Sequence, residues 1–274
     1  MTGNQDALGL IIEPETLQTH LDDDNLLIVD LGKEADYLQA HVPGAVFLPY
    51  QALLAGTPPV PGKLPEIGQL SKTFGYLGLA PETHVVAYDD EGGGWAGRLI
   101  WTLDVIGHQN YSYLNGGIHA WKDSGLATEA GNNQPRSRAL NISLKQSPIA
   151  DMNYIRSRLD AADFIIWDAR GPLEYSGEKS GSARAGHIPG AANYEWTDAM
   201  DKNRALRLRD LESIRTELSN LGITSDKEIV THCQTHHRSG FTYLLGKALG
   251  FPKIKAYPGS WSEWGNDPNA PIEK

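Results

Sequence analysis

The sequence predicts an α/β fold of two similar domains, each with a mainly parallel central sheet and helices on both of its faces. Short apolar runs alternate along the chain with segments of helical periodicity, which is typical of such sheets. The same succession of runs and motifs occurs twice, which indicates an internal duplication. A length of 274 residues gives each copy the size of an ordinary domain.

Four segments of the first half recur in the second half in the same order. They are an apolar run that ends in aspartate, a His-x-Pro-Gly-Ala stretch, a second apolar run, and a glycine followed by a tryptophan. Because every pair keeps its place in the chain, two copies of one ancestral domain explain the pattern better than chance. The pairs are residues 27–30 and 165–168, 41–45 and 187–191, 85–90 and 229–234, and 114–121 and 257–264.

The apolar runs and their spacing predict the secondary structure within each copy. Residues 26–29 and 164–167 are short and continuously apolar, as buried parallel strands are. Residues 211–218 have apolar positions at helical spacing, so we expect a helix there. Another helix is predicted from the apolar pattern of residues 241–245, with Ser239-Gly240 or a neighbouring residue expected to open it.

A polar segment separates the two copies. Residues 130–138 carry glycine and proline and lack apolar periodicity, as linkers do. We therefore expect a first domain over residues 1–129, a linker over residues 130–143 and a second domain over residues 144–274.

Charge and hydropathy narrow the classes of partner. The net charge is −10, and all of the excess negative charge lies in residues 1–138, so nucleic acid is not an expected partner. No run approaches the roughly 18 apolar residues of a membrane span, and the start of the chain lacks the basic and apolar parts of a secretory signal. We expect a monomer in the cytoplasm with no membrane partner.

The chain has one cysteine, Cys233, at a point where an apolar strand ends and a helical pattern is about to begin. Ligands bind at this end of the strands in open α/β sheets. A helix N-terminus and neighbouring cations lower the pKa of a thiol, and the thiolate is its reactive form. The alternative is a buried, inert cysteine, but the polar loop that follows favours a nucleophile.

The loop that follows Cys233 is predicted to bind an anion. If residues 233–238 curl round, their backbone N–H groups point inward, and the dipole of the next helix adds to the attraction. Two histidines and an arginine are expected to supply positive or switchable charge, and their neighbours add neutral hydrogen-bonding groups. The residues expected to bind substrate or persulfide are Gln234, Thr235, His236, His237, Arg238 and Ser239.

Other roles for these side chains remain open from the sequence. Arg238 can instead form an ion pair with a carboxylate of the acidic first domain. His236 and His237 can bind a metal, but no second cluster of cysteine and histidine supplies further ligands, so no metal is expected. One of the two histidines can instead simply cap or shield the loop. His232, at the end of the strand, is expected to be a core histidine.

Together these features resemble the tandem-domain rhodaneses, a family of sulfurtransferases, along essentially the whole chain. The loop Cys-Gln-Thr-His-His-Arg is similar to that of bacterial thiosulfate:cyanide sulfurtransferases. The other matching features are the strand ends at Asp30 and Asp168, the triplet Asp168-Ala169-Arg170, the two His-x-Pro-Gly-Ala stretches and the segment Gly259-Ser260-Trp261-Ser262-Glu263-Trp264.

The resemblance implies sulfur transfer in two steps through Cys233. Its thiolate attacks the outer sulfur of a small anionic donor such as thiosulfate, which releases sulfite and leaves a persulfide. Cyanide or another thiophilic acceptor, such as a small thiol or a protein thiol, then takes that sulfur. The loop amides are expected to stabilise the persulfide anion, and no cofactor is implied.

The first copy has Asp89 where the second has Cys233, so the resemblance implies a non-catalytic first domain. We expect Asp89, Asp90 and Glu91 to form a solvated loop rather than a metal site. Residues 92–94, three glycines, lack the lysine of a phosphate-binding loop and are expected to form a flexible turn.

Two positions differ from better-known members of the family. Eukaryotic-type enzymes have a donor-binding arginine where this chain has Glu174, and their thiosulfate enzymes have a lysine in the place of Thr235. A carboxylate that points inward at Glu174 would repel an anionic donor, so the sequence leaves the donor open. Asp168 and Arg170 are expected to lie beside the loop together with Glu174.

Three alternative functions follow from the same residues. 3-Mercaptopyruvate is the nearest alternative donor, although the loop is not the Cys-Gly-Ser-Gly type of those enzymes. A cysteine-dependent phosphatase or arsenate reductase is less expected, because four residues rather than five separate Cys233 and Arg238. A non-catalytic binding module is the third, but such a copy is expected to lose its cysteine.

Overall fold

The computed structural model describes residues 8–274 and arranges them as two α/β units with separate parallel sheets. The predicted start of the first domain, residues 1–7, lies outside the described residues. The first unit contains β1 (Ile11–Ile12), α1 (Pro14–Gln18), β2 (Leu26–Asp30), α2 (Glu34–Gln39), β3 (Val46–Phe47), a 3-10 helix (Tyr50–Leu53), α3 (Ile67–Tyr76), β4 (His84–Tyr88), α4 (Gly94–Val105), β5 (Tyr111–Leu114) and α5 (Gly117–Asp123). The second contains α6 (Met152–Arg156), β6 (Phe164–Asp168), α7 (Pro172–Tyr175), β7 (Ala192–Asn193), a 3-10 helix (Trp196–Ala199), β8 (Met200–Asp201), a 3-10 helix (Lys202–Arg204), β9 (Arg207–Leu208), α8 (Leu211–Asn220), β10 (Glu228–His232), α9 (Arg238–Ala248), β11 (Ile254–Ala256) and α10 (Ser260–Trp264).

Both central sheets are built by parallel pairing. Within residues 8–274 the first sheet has the strand order β1-β5-β4-β2-β3, and the second has the order β11-β10-β6-β7. Every pair in these two sheets is parallel, and a separate antiparallel pair, β8 with β9, belongs to the second unit. The predicted α/β class is confirmed.

Alternate strand residues enter apolar clusters on opposite faces of each sheet. In β4, Val85 and Ala87 belong to one buried cluster, and Val86 and Tyr88 belong to another. The residues of β6 alternate in the same way between two further clusters. Because both faces are covered, the strands read as continuous apolar runs in the sequence.

The duplication is visible in matching side-chain contacts. In the first unit the ring of His41 stacks on Tyr37 at 4.0 Å, and its Nδ1 lies 2.7 Å from the Tyr37 carbonyl oxygen. In the second unit His187 stacks on Tyr175 at 3.8 Å, and its Nδ1 lies 2.9 Å from the Tyr175 carbonyl oxygen. The His-x-Pro-Gly-Ala stretches therefore fix the same turn in both units.

The two units meet where α4 packs against α9. Gly97 of α4 lies so close to Gly240 of α9 that a Cβ on Gly97 would be 2.4 Å from the carbonyl carbon of Gly240. Side chains beside this contact cross the boundary, since Leu244 packs in a cluster of the first unit and Trp101 in a cluster of the second. Each helix follows the equivalent loop of its own unit, so the packing brings the two loops together.

The segment between the units, residues 130–143, contains no helix or strand along its described length. Leu140 and Ile142 pack against the core of the first unit, and the Arg138 N–H donates to the Gly75 carbonyl at 2.9 Å. The segment is therefore held against the first unit, while the domain boundaries themselves stay a prediction.

The observed elements are slightly longer than the predicted ones. Strand β2 continues to Asp30 and helix α8 continues to Asn220, while helix α9 begins at Arg238, the neighbour of the Ser239-Gly240 pair expected to open it. Among residues 8–274, no helix combines the length and apolar character needed to cross a membrane.

The packing of α4 on α9 predicts that Gly97→Ala destabilises the protein. The new Cβ would meet backbone atoms of the facing helix, and such overpacking costs roughly 1–3 kcal/mol. Gly68→Ala in α3 is the matched control, because a Cβ there meets no atom within 4 Å. Urea denaturation should give a lower unfolding midpoint for Gly97→Ala alone, and equal midpoints would contradict the close contact.

Candidate active site

The thiol of Cys233 follows β10 directly and is almost completely buried, with 1% of the residue exposed. Ser239 donates a hydrogen bond from its Oγ to the Cys233 Sγ at 3.5 Å. Burial raises the pKa of the thiol, but the charge of Arg238 and hydrogen bonds from Ser239 and Thr235 lower it by more. The pKa therefore lies below its ordinary value, which favours the thiolate.

Backbone contacts with the α10 segment fix the shape of the loop. The Trp261 N–H donates to the Cys233 carbonyl at 2.9 Å, and the Ser262 N–H donates to the Gln234 carbonyl at 2.9 Å. The Cys233 N–H donates to the Ser260 Oγ at 3.4 Å, whereas the N–H groups of Thr235 and Ser239 act on the sulfur. The loop therefore directs two backbone donors at an anion on the sulfur.

Arg238 forms a two-point ion pair with Glu174. Its Nη1 lies 2.5 Å from Oε2 of Glu174 and its Nη2 lies 2.9 Å from Oε1. The sequence left an ion pair for Arg238 open, but the expected partner domain was wrong, because Glu174 belongs to the second domain. Helix α7, which carries Glu174, follows β6, and β6 pairs with β10, so this carboxylate reaches the loop from the neighbouring strand end. Burial raises the pKa of Glu174, but Arg238 lowers it by more.

Asp168 and Arg170 form a buried ion pair beneath the loop. The Arg170 Nε lies 2.9 Å from Oδ1 of Asp168 and its Nη2 lies 2.6 Å from Oδ2. The His232 Nε2 is 3.5 Å from the same carboxylate, and its Nδ1 is 3.1 Å from the Cys233 carbonyl oxygen. Arg170 therefore holds Asp168, and Asp168 contacts His232, which in turn contacts Cys233 at the start of the loop. His232 is buried, as expected.

His236 is buried and neutral. Its Nδ1 lies 2.8 Å from the Ser239 Oγ, and its ring meets the Trp101 ring edge to face at 4.5 Å. Burial, and then the charge of Arg98, hold the pKa of His236 well below its ordinary value. Burial without a carboxylate partner opposes protonation, so of the two roles expected for the histidines His236 fits the one that caps or shields the loop.

His237 contacts the first domain. Its Nε2 lies 3.0 Å from Oε2 of Glu91, and its ring stacks on Trp95 at 4.2 Å. Trp95 in turn stacks on Tyr50 at 4.0 Å. The second half of the loop that follows Cys233 is therefore held by residues of the other domain.

Gln234 and Thr235 anchor the loop to neighbouring segments. The Gln234 Nε2 donates to the Ser182 Oγ at 3.1 Å. The Thr235 carbonyl oxygen lies against Gly62, where a Cβ would approach it to 2.2 Å. Of the predicted loop residues, Arg238, Ser239 and the Thr235 amide act on the sulfur most directly, as the pKa of the thiol shows.

The equivalent loop of the first domain holds the carboxylate of Asp89. The N–H groups of Glu91 and Gly93 donate to Oδ1 at 3.0 Å and 2.8 Å. The N–H groups of Trp95 and Ala96 donate to Oδ2 at 2.9 Å and 3.0 Å. Asp89 is fully buried, so the expected solvated loop is wrong for this residue. Its carboxylate occupies the anion cradle that begins helix α4.

The three glycines after Glu91 are close-packed rather than flexible. A Cβ on Gly93 would lie 2.8 Å from the Phe241 ring, and a Cβ on Gly94 would lie 2.2 Å from Nε2 of His237. The small residues are therefore needed because the second domain passes against them. No group of three or more possible metal-ligating side chains was found among the described residues.

The sequence did not identify the first-domain residues at this site. Glu91 and Trp95 contact His237, Trp101 contacts His236, and the charge of Arg98 acts on His236. No local motif marks these residues, because only the packing of α4 on α9 brings them to the loop.

Comparison with known proteins identifies the family. The profile of the rhodanese-like domain matches residues 13–124 and again residues 151–267. The chain belongs to the rhodanese family, with two copies of its domain. The sequence is 54% identical over 269 residues to the thiosulfate sulfurtransferase of Azotobacter vinelandii, covering 97% of this chain and 98% of that protein. It is 53% identical over 266 residues to the thiosulfate sulfurtransferase of Pseudomonas aeruginosa, covering 97% of each.

A solved structure has the same fold at lower sequence identity. The anaerobic ergothioneine biosynthesis enzyme from Chlorobium limicola, in complex with trimethyl histidine, superposes with a TM-score of 0.85. The match covers 97% of this chain and 70% of that one at 23% identity, so the likeness concerns the fold.

The carboxylate cradle predicts that Asp89→Asn destabilises the protein. The amide nitrogen that replaces one oxygen cannot accept hydrogen bonds, so buried N–H groups lose their acceptor at a cost of roughly 2–4 kcal/mol. Asp90→Asn is the matched control, since Asp90 pairs with the exposed Lys33 and such pairs contribute about 1 kcal/mol or less. Urea denaturation of both variants measures the difference, and an unchanged midpoint for Asp89→Asn would refute the cradle.

Proposed function

We propose that this chain transfers a sulfane sulfur from thiosulfate, through a persulfide on Cys233, to cyanide or another thiophilic acceptor. The observation that carries the proposal is a thiol of lowered pKa in an amide-lined loop at the start of a buried helix. Membership of the rhodanese family and 54% identity to a thiosulfate sulfurtransferase support it.

The reaction consists of two displacements at sulfur. In the first, the Cys233 thiolate attacks the outer sulfur of thiosulfate, a new S–S bond forms, and sulfite leaves with the electron pair of the old one. In the second, the carbon of cyanide attacks the outer sulfur of the persulfide and the thiolate leaves, which yields thiocyanate. A thiol acceptor would take the sulfur by the same displacement, and no net proton or electron is needed from the protein.

The loop stabilises the charge that moves between these steps. The negative charge lies on Sγ before the first displacement and on the outer sulfur of the persulfide after it. The amides of Thr235 and Ser239 act on the sulfur, and the dipole of α9 adds to them. Because these groups are fixed in the fold, they need not reorganise during the reaction.

The ion pair between Arg238 and Glu174 governs how the donor binds. Both side chains are partly exposed, at 20% and 25%, so a donor can reach them from solvent. Thiosulfate carries two negative charges, and it must compete with Glu174 for the guanidinium of Arg238. We infer that Glu174 weakens the binding of thiosulfate. By the same competition for Arg238, it also lowers the occupancy of the site by other anions from solvent.

The first domain, over residues 1–129, is proposed to be non-catalytic, and residues 144–274 to form the catalytic domain. Asp89 has no nucleophilic sulfur, and its carboxylate already fills its own cradle. The first domain contributes instead through the contacts of Glu91, Trp95 and Trp101 with the catalytic loop.

The comparisons favour thiosulfate over the alternative functions. Two relatives at 54% and 53% identity are thiosulfate sulfurtransferases and match nearly the whole chain. 3-Mercaptopyruvate remains the alternative donor to test. Phosphatase chemistry is disfavoured because four residues rather than five separate Cys233 and Arg238, which gives a smaller loop than a phosphate needs. The monomeric state and the cytoplasmic location stay predictions.

Cys233 is expected to gain one sulfur atom when the protein is incubated with thiosulfate. Intact-mass spectrometry should show the added atom, and cyanide should remove it. Cys233→Ser is the matched control, because it keeps the size of the side chain and lacks the sulfur. A protein that gains no sulfur, or a serine variant that gains it, would count against the proposal.

Glu174→Gln is expected to increase the use of thiosulfate. The change leaves Arg238 with a neutral neighbour, so kcat/KM for thiosulfate should rise about tenfold, equivalent to about 1.4 kcal/mol. Glu178→Gln is the control, since that carboxylate bonds to Ser176 on the exposed surface. Steady-state assays with thiosulfate and cyanide measure the effect, and a fall in kcat/KM would show that Glu174 positions Arg238 productively.

A further inference from the structure

The side chains of Cys233, Ser239 and His236 form a buried chain of polar atoms. The Ser239 Oγ lies 3.5 Å from Sγ of Cys233 and 2.8 Å from Nδ1 of His236. The three residues are at most 1% exposed, so water does not compete for these contacts. The direction of the two hydrogen bonds therefore depends on these side chains themselves.

The serine hydroxyl has one proton and can donate to only one neighbour. If it donates to the thiolate, its oxygen must accept a hydrogen bond from His236, which requires a proton on Nδ1. If Nδ1 has no proton, the hydroxyl donates to the histidine and the sulfur loses that bond. The tautomer of His236 thus decides whether Ser239 stabilises the thiolate.

The surroundings of His236 favour the tautomer with the proton on Nδ1. Because the ring is neutral, one nitrogen carries the proton and the other does not. The Nε2 atom is buried and has no hydrogen-bond partner among the described residues. A buried N–H without an acceptor is rarer than an unpaired buried acceptor, so the proton belongs on Nδ1, where Ser239 accepts it.

The first domain supplies those surroundings. The ring of Trp101 meets His236 edge to face at 4.5 Å, and the guanidinium of Arg98 lies over the same indole at 4.7 Å. Arg98 is fully buried and donates to the carbonyls of Gly62 and Leu53 at 2.9 Å each. Within residues 8–274 it has no carboxylate partner, so its positive charge acts on the loop and opposes protonation of His236.

We propose that His236 is a positioning residue whose Nδ1 proton makes the Ser239 hydroxyl a donor to the sulfur of Cys233. The role rests on the proposed function, in which Cys233 is the sulfur carrier. The first domain takes part in catalysis through it, since Trp101 and Arg98 enclose the histidine. His236 itself touches Ser239 rather than the reacting sulfur.

The test measures the pKa of the thiolate directly. Cys233 is the only cysteine of the chain, so the rate of alkylation by iodoacetamide as a function of pH reports on that thiol alone. Ser239→Ala should raise the pKa by about one unit, as expected for the loss of one hydrogen bond to a charged group. His236→Ala should raise it by a similar amount.

The double variant separates positioning from a merely structural role. In the background of Ser239→Ala, His236→Ala should cause no further shift, because the hydroxyl that it orients is already absent. A full additional shift in the double variant would overturn the proposal. Alkylation does not involve sulfur transfer, so a failure to form the persulfide in the wild-type protein would sink the proposed function and leave this result intact.

Two substitutions at His236 provide a matched pair. The amide nitrogen of His236→Asn can replace Nδ1–H, and asparagine tolerates the left-handed backbone that this position has, with φ of 59°. The amide of His236→Gln extends toward the position of Nε2 instead. The asparagine variant should keep the pKa of Cys233 close to that of the wild type, and the glutamine variant should raise it as His236→Ala does. Equal pKa shifts for both variants would overturn the proposal. His119→Asn, on the exposed surface, controls for handling and should leave the pKa unchanged.

Discussion

The contact between α4 and α9 is the constraint on which the site depends. No side chain separates the helices where Gly97 faces Gly240, so their backbones approach closely. This approach places the first-domain loop against the catalytic loop, where Glu91 meets His237. A larger residue at either glycine would separate the loops, and the catalytic loop would lose its contacts with the first domain. The two domains therefore form one functional unit although only one carries a cysteine.

The same backbone cradle serves two purposes in the two domains. In the first, four N–H groups hold the carboxylate of Asp89, which is part of the chain and cannot leave. In the second, the corresponding loop surrounds Cys233, whose pKa is lowered by Arg238 and by hydrogen bonds from the loop. The bound carboxylate of Asp89 indicates that a loop of this shape accommodates a compact anion at the start of a helix. The first copy thus fills its cradle with its own carboxylate, whereas the second is the copy proposed to use its loop for chemistry.

Much of this arrangement was predictable from local patterns. Short apolar runs predicted the strands, and the repeat of those runs predicted two parallel sheets. The position of Cys233 between a strand and a helix predicted a loop with inward-facing amides. The duplication identified Asp89 as its counterpart. These features depend on residues that are near one another in the chain, and for such residues spacing alone determines geometry.

The sequence by itself determined the fold class, the duplication and the candidate nucleophile Cys233. Only the tertiary structure decided the charge state of His236, the pairing of Arg238 with Glu174 and the burial of Asp89. The physical reason is that charge state and pairing depend on burial and on partners distant in sequence. Two histidines adjacent in the chain thus have different roles, because one lies in the core beside Trp101 and the other meets a carboxylate.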